Sequence, residues 1–199
     1  LDLEKKGWVK RVARGKAARS QVPLEQHAET GGDPVDVLTL LREQERGRVE
    51  DLLPIRHGRM LASPFAFFRG SAGVMAADLA TLPNTGLTAQ LCGDAHLSNF
   101  GVYATPERRL VLDVNDFDET LPGPFEWDVK RLVASFVVAA RDNGYRPKQQ
   151  RVAARAAAAA YRTAAMPRRR RRCRAAGSGA APDRKSAAPG RSVAALRTK

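Results

Sequence analysis

Leu91-Cys92-Gly93-Asp94-Ala95-His96-Leu97-Ser98-Asn99, followed by Asp113-Val114-Asn115-Asp116-Phe117-Asp118-Glu119, decides how this chain is read. Asp94 and Asn99 stand five residues apart, just after an apolar run from Leu87 to Cys92. The second acidic cluster ends another apolar run, Leu110 to Val114. Both runs have the length and make-up of strands that give way to loops. In such a loop Asp94 can accept a proton from a hydroxyl, and Asn99 can offer its carbonyl oxygen to a metal ion. Asp116, after the next hairpin, can supply a carboxylate to the same ion. Magnesium takes hard oxygens, usually one or two protein side chains plus phosphate oxygens. Phosphotransfer then needs little besides positioning and charge neutralisation.

Outward from this centre, Phe100 to Ala104 and Leu110 to Val114 read as two strands of a hairpin. Leu121-Pro122-Gly123-Pro124 reads as a loop. Val129, Leu132, Val133, Phe136, Val137 and Ala140 recur at helical spacing, so a helix is expected from about Phe125 to Asn143, ended by Asn143-Gly144. A second helix begins near Pro147 and runs to about Met166. On the other side, residues 1–32 read as a basic arm with one helical turn at most. Asp33-Pro34 has the form of a helix start, with Asp as N-cap and Pro at the first position. That helix continues with a break at Gly47 as far as Ile55. Arg56 to Pro64 reads as a loop, Phe65 to Gly70 as a short strand or buried turn, and Ala72 to Ala80 as a short helix.

The chain has 199 residues and a net charge of +13, but the charge is not spread evenly. Residues 167–199 carry +10 and residues 1–19 carry +5, which leaves −2 for residues 20–166. The central part is therefore slightly acidic, and nucleic acid is expected only as a non-specific contact of the tail. Residues 167–199 are rich in Arg, Ala, Pro and Gly, with too little apolar surface to offset ordering, so a disordered tail is expected. The abrupt change in composition also fits an out-of-frame end. The two cysteines, Cys92 and Cys173, make no disulfide framework. No stretch is long and apolar enough for a membrane span, and no signal peptide is visible. A cytoplasmic protein is expected.

The spacing Asp94-x-x-x-x-Asn99 followed by Asp116 is similar to the catalytic layout of the protein-kinase-like fold. Its form here, Gly-Asp-x-His-x-x-Asn, resembles aminoglycoside and choline kinases. Roughly Val22 to Tyr145 resembles the bacterial family called domain of unknown function 2252. The segments that carry this are Pro54 to Met60, Phe67-Phe68-Arg69-Gly70, Cys92 to Gly101, Asn115 to Thr120 and Glu126 to Arg131. The resemblance implies an α/β (α+β) protein with a kinase-like domain at 33–166 that is incomplete, as an N-terminal half. It implies a phosphotransferase using Mg2+ and ATP, with an unidentified small-molecule or protein acceptor, and no activity in this chain as it stands. Asp94 would be the catalytic base. Asn99 and Asp116 would bind the metal and, with Arg69, the nucleotide. Asp128 would hold the loop by accepting backbone hydrogen bonds, and His96 would support it. Asp113 has the more usual separation from Asn99, whereas Asp116 has the usual separation to Asp128; a long hairpin loop at 104–109 favours Asp116.

Other readings compete. Asp94 and Asn99 could simply cap a turn. Asp113, Asp116 and Asp118 could form the carboxylate cluster of a metal-dependent hydrolase, or the chain could be a basic-tailed binding protein without enzymatic activity. His27 and His57 read as structural, Trp127 as a core anchor, and Lys130 and Arg131 as surface or ion-pair residues. Asp118 and Glu119 are either supporting carboxylates or solvent charges. The apolar stripe from Val129 to Val137 is expected to need partners from beyond Met166.

Overall fold

The computed structural model of the chain describes residues 2–30 and 35–165. The tail expected at 167–199, and the helix start expected at Asp33-Pro34, lie outside them. The first helix, α1, spans Asp2–Gln21 and replaces the expected arm. Its sequence holds Lys, Arg, Glu and Ala with no proline before Pro23, so intrinsic propensity favours helix over most of its length. Ala18 and Val22, at its end, are buried.

Helix α2 spans Val37–Glu45 and is capped by Asp36, whose Oδ1 accepts from the N–H of Leu38 at 3.1 Å and of Thr39 at 3.3 Å. Gly47 then takes a left-handed conformation, φ 85°, and turns the chain. A short 3-10 turn, Glu50–Leu52, leads into α3, Leu53–Met60, and α4 follows at Pro64–Gly70. These two helices correct the expected loop at 56–64 and the expected short strand or buried turn at 65–70. The reason lies in Ser63-Pro64. Ser63 Oγ accepts from Ala66 N–H at 3.2 Å, and Pro64 occupies the first helical turn, where its missing N–H costs nothing. That start outweighs the strand preference of the aromatic residues after it. Helix α5, Ala72–Ala80, forms as expected.

The strands are β1, Thr88–Leu91; β2, Phe100–Ala104; β3, Leu110–Val114; and β4, Leu121–Pro124. They make two separate antiparallel pairs. Strand β2 pairs with β3, Phe100 opposite Val114, through a turn in which Arg108 has φ 59°. Strand β1 pairs with β4, Leu91 opposite Leu121. The second pair corrects the reading of 121–124 as a loop. In a two-stranded ladder each strand is an edge, and an edge tolerates Pro122 and Pro124.

Helix α6 spans Glu126–Asp142 and α7 spans Pro147–Ala165, with Gly144 between them at φ 73°. Helix α6 is the centre of the packing: it lies against α4, α5, α7 and the short 3-10 turn at Leu97–Asn99. Its most buried row is Arg131, Ser135 and Ala139, four residues apart. The apolar stripe of Val129, Leu132, Val133, Phe136 and Val137 is half-buried. Before β1, Thr85 donates both its N–H, at 3.0 Å, and its hydroxyl to the buried carboxylate of Glu126, which ties the approach to the sheet to the start of α6. The chain is thus a mixed α and β protein, as expected, with its helices rather than its sheets making the core. No helix among the described residues is long and apolar enough to cross a membrane.

Helix α4 is short, so its cap should matter. Ser63→Ala should lower stability by about 1 kcal/mol, the usual cost of losing a serine cap. Urea unfolding of the two proteins measures this, and equal midpoints would show that α4 is held by packing alone.

Candidate functional site

The turn from Cys92 to Asn99 leaves β1 with its backbone amides pointing away from any strand partner. Helix α6 receives them. Asp128 Oδ2 accepts from Cys92 N–H at 2.7 Å, and Oδ1 accepts from Gly93 N–H at 3.1 Å. Ser135 Oγ accepts from Leu97 N–H at 3.0 Å and donates to Leu132 O at 2.6 Å. Gly93 has φ 81°, and a Cβ there would collide with the Glu119 carbonyl, so glycine alone lets the loop lie against the 117–120 turn.

Asp94 is held on both oxygens. Arg131 donates to Oδ1 through Nε at 2.8 Å and through Nη2. His96 Nε2 lies 3.3 Å from Oδ2. His96 Nδ1 accepts from Ser98 N–H at 3.1 Å, which assigns the ring proton to Nε2. Burial pushes the Asp94 carboxyl upward, but the hydrogen bond from His96 and the charge of Arg131 outweigh it and hold the group below its ordinary value. Asp94 is therefore a carboxylate near neutral pH, with one lone pair of Oδ2 left uncommitted. Arg131 is almost fully buried. It also donates to Phe68 O at 2.8 Å and lies over the Phe68 ring, 4.4 Å from its centroid. It thereby joins α4, α6 and the loop.

Asn99 is buried, and its Nδ2 donates to the backbone carbonyls of Asp94 and Asp116, 3.1 Å each. One side chain thus staples the loop to the acidic turn and brings Asn99 beside Asp116. Asp116 is exposed, and its Oδ1 accepts from Asp118 N–H at 3.0 Å. Beneath them the Cys92 thiol is pushed up to about 11, by burial first and by the charge of Asp128 next, and stays protonated.

Asp94, His96, Asn99, Asp116 and Arg69 all line one cleft of about 1100 Å³, while Asp128 lies behind the loop. Asp118 and Glu119 add carboxylates to the same wall. The hydrolase cluster does not form: among the described residues no three Asp, Glu, His or Cys side chains gather to hold a metal. Asp113 instead turns its carboxylate onto Val114 N–H, at 2.8 Å. His57 pairs with Glu45. The sequence reading gave no site role to Arg131, nor to Arg56 and Arg59, which it placed only in the segment Pro54 to Met60, and it passed over Ser135. Asp128, Arg131 and Ser135 fall at i, i+3 and i+7, a polar face of α6 that the apolar periodicity hid.

These features define a mixed α and β protein whose loop site is anchored on one central helix. The family model described as "Uncharacterized protein conserved in bacteria (DUF2252)" matches residues 48–181, and the chain belongs to this family. The matched span includes all the site residues named above. Comparison with curated proteins and with solved structures found no match.

The Asp94–Arg131 pair sets an acid limit. Because the folded Asp94 is held below its ordinary value of 3.8, its contribution is fully present above that pH. It is lost as pH falls further, through the depressed folded value. Thermal melts across this acid range should fall less steeply for Asp94→Asn than for the parent. At neutral pH, Arg131→Met should cost about 3–5 kcal/mol, because it strands a partly buried carboxylate. A loss below about 1 kcal/mol would mean that water compensates Asp94.

Proposed function

We propose that this chain carries the catalytic loop of a kinase-like phosphotransferase that binds Mg-ATP. The observation that carries the reading is the pair of hydrogen bonds from Asn99 Nδ2 to the carbonyls of Asp94 and Asp116. With the amide nitrogen so used, Oδ1 is the atom of Asn99 able to meet an ion, and Asp116 stands next to it. Two hard oxygens from the protein suit Mg2+, which completes its shell with phosphate and water. Further support comes from the order of elements, strand, loop, hairpin, acidic turn and helix, and from Asp128 accepting the loop amides.

In this reading Asn99 and Asp116 hold the ion, which when bound neutralises charge on the phosphate oxygens. Asp94 receives the acceptor hydroxyl on its free Oδ2 lone pair. Its low basicity is tolerable, because positioning contributes more than proton abstraction in phosphoryl transfer. His96 and Asp128 keep the loop in shape, and Arg69 faces phosphate. Val49, Leu52 and Ile55, exposed at 63%, 56% and 52%, line the same cleft and offer an apolar surface to the nucleotide base. The acceptor is a molecule with a hydroxyl, of unassigned kind.

Titration calorimetry with Mg-ATP tests the roles. Asp116→Asn and Asn99→Ala should each weaken binding by about tenfold or more, since each removes or neutralises an ion ligand. Asp94→Asn should leave binding within about twofold and lower only turnover, where turnover exists. Loss of binding in Asp94→Asn but not in Asp116→Asn reverses the assignment.

A further inference from the structure

The cleft has a second wall, and its charge is opposite. Arg48, Arg56, Arg59 and Arg69 line it from the α2–α3 connection, α3 and α4, in the same cleft as Asp94, Asp116, Asp118 and Glu119. Among the described residues none of these arginines lies within ion-pair distance of a carboxylate. The arginines and the carboxylates thus share a cavity without pairing directly.

Arg56 is the fixed member. Its Nη2 donates to Gly70 O at 2.7 Å, which runs from α3 to the end of α4 and sets the plane of the guanidinium. Its Nε is buried and meets no protein acceptor. An anionic oxygen in the cleft would therefore meet the N–H groups of Nη1 and Nη2 that Gly70 O does not take. Arg59 and Arg69 are exposed and free to turn toward the same ligand. A planar guanidinium matches two oxygens of a phosphate at once, which makes several arginines on one wall a better phosphate site than a general cation site.

We infer that Arg56, Arg59 and Arg69 form a phosphate-binding wall, separate from the Asn99–Asp116 oxygens, that holds phosphate groups of the ligand directly and without metal. The inference deepens the phosphotransfer reading and rests on it for its biological meaning, although the wall can be tested alone. Two ligands share this chemistry: the polyphosphate of the nucleotide, and an acceptor that already bears a phosphate.

The probes are tripolyphosphate with a chelator present, inorganic phosphate and Mg-ATP, each titrated into the whole chain at one fixed salt concentration. The variants are Arg59→Gln with Arg69→Gln, both exposed, and Arg42→Gln on α2 as a control for net charge. Arg56→Lys, which keeps the charge but loses the fork, is a third. Tripolyphosphate should bind the parent without metal. The double variant should weaken it by about tenfold or more, the scale of a lost charged hydrogen bond, with an unchanged melting temperature, and Arg42→Gln should have little effect. Arg56→Lys should weaken it as well. If Mg-ATP weakens in parallel, the wall holds the nucleotide's own phosphates. If only tripolyphosphate and inorganic phosphate weaken, the wall serves a phosphorylated acceptor. Both results support the inference. No binding of tripolyphosphate to the parent, or equal loss in Arg42→Gln and the double variant, overturns it. Tripolyphosphate binding through the wall with no Mg-ATP binding at all would leave the wall standing and remove the nucleotide reading.

Discussion

The loop from Cys92 to Asn99 depends on hydrogen bonds from its amides to one polar face of α6. Buried N–H groups without acceptors cost roughly 1–3 kcal/mol each, so a loop leaving a short strand needs acceptors from elsewhere. Asp128 and Ser135 supply them, and Arg131, between the two on the same face, grips Asp94. The position of Asp94 is thereby tied to a helix rather than to the two-stranded ladders beside it. A buried ion pair is weak evidence of stability, because desolvation offsets much of the attraction. Its value here is geometric: Arg131 also bonds Phe68 O and Met75 Sδ, so the loop cannot shift without also disturbing α4 and α5.

The same pair shapes the field of the cleft. Arg131 cancels the charge of Asp94 from behind, so the acidic wall presents mainly Asp116, Asp118 and Glu119. Those three are exposed, and salt screens them over a Debye length of roughly 8–10 Å. The arginines line the same cavity. A ligand that is anionic on one side and carries a cation on the other fits both walls. A simple cation or simple anion fits only one.

Much of this was legible in the sequence, and the exceptions have physical reasons. The hairpin of β2 and β3, and helices α5, α6 and α7, carry clear periodicity or clear stops, such as Asn143-Gly144. Helix α4 was hidden because Pro64 looks like a breaker, although it sits in a first helical turn where proline is tolerated, and the second half of α3 because Arg56 to Arg59 holds polar residues and Gly58. Strand β4 was hidden by its own Pro-Gly-Pro. Helix α1 has few apolar residues to reveal a face. Within the site, Asp94, Asn99, Asp116 and Asp128 stood out by spacing. Arg56 and Arg59 did not, because their meeting with Arg69 depends on the turn between α3 and α4, which no local pattern encodes.

The partners of Asp94 narrow the chemistry open to the proposed site. A carboxylate that receives two N–H groups from Arg131 on one oxygen, and faces the ring N–H of His96 with the other, is a poor nucleophile. Its charge is already spent on those partners, and forming an acyl bond would break a buried ion pair. It is also a weak base, since the same partners hold its carboxyl below the ordinary range. What remains is a single lone pair in a fixed direction, at the edge of a cleft. In the proposed function that arrangement suits orienting a hydroxyl toward an electrophile that carries its own leaving group, and it does not suit a covalent aspartyl intermediate. The constraint acts through Arg131, so the chemistry open to this loop is set as much by the helix behind it as by the residues that face the cleft.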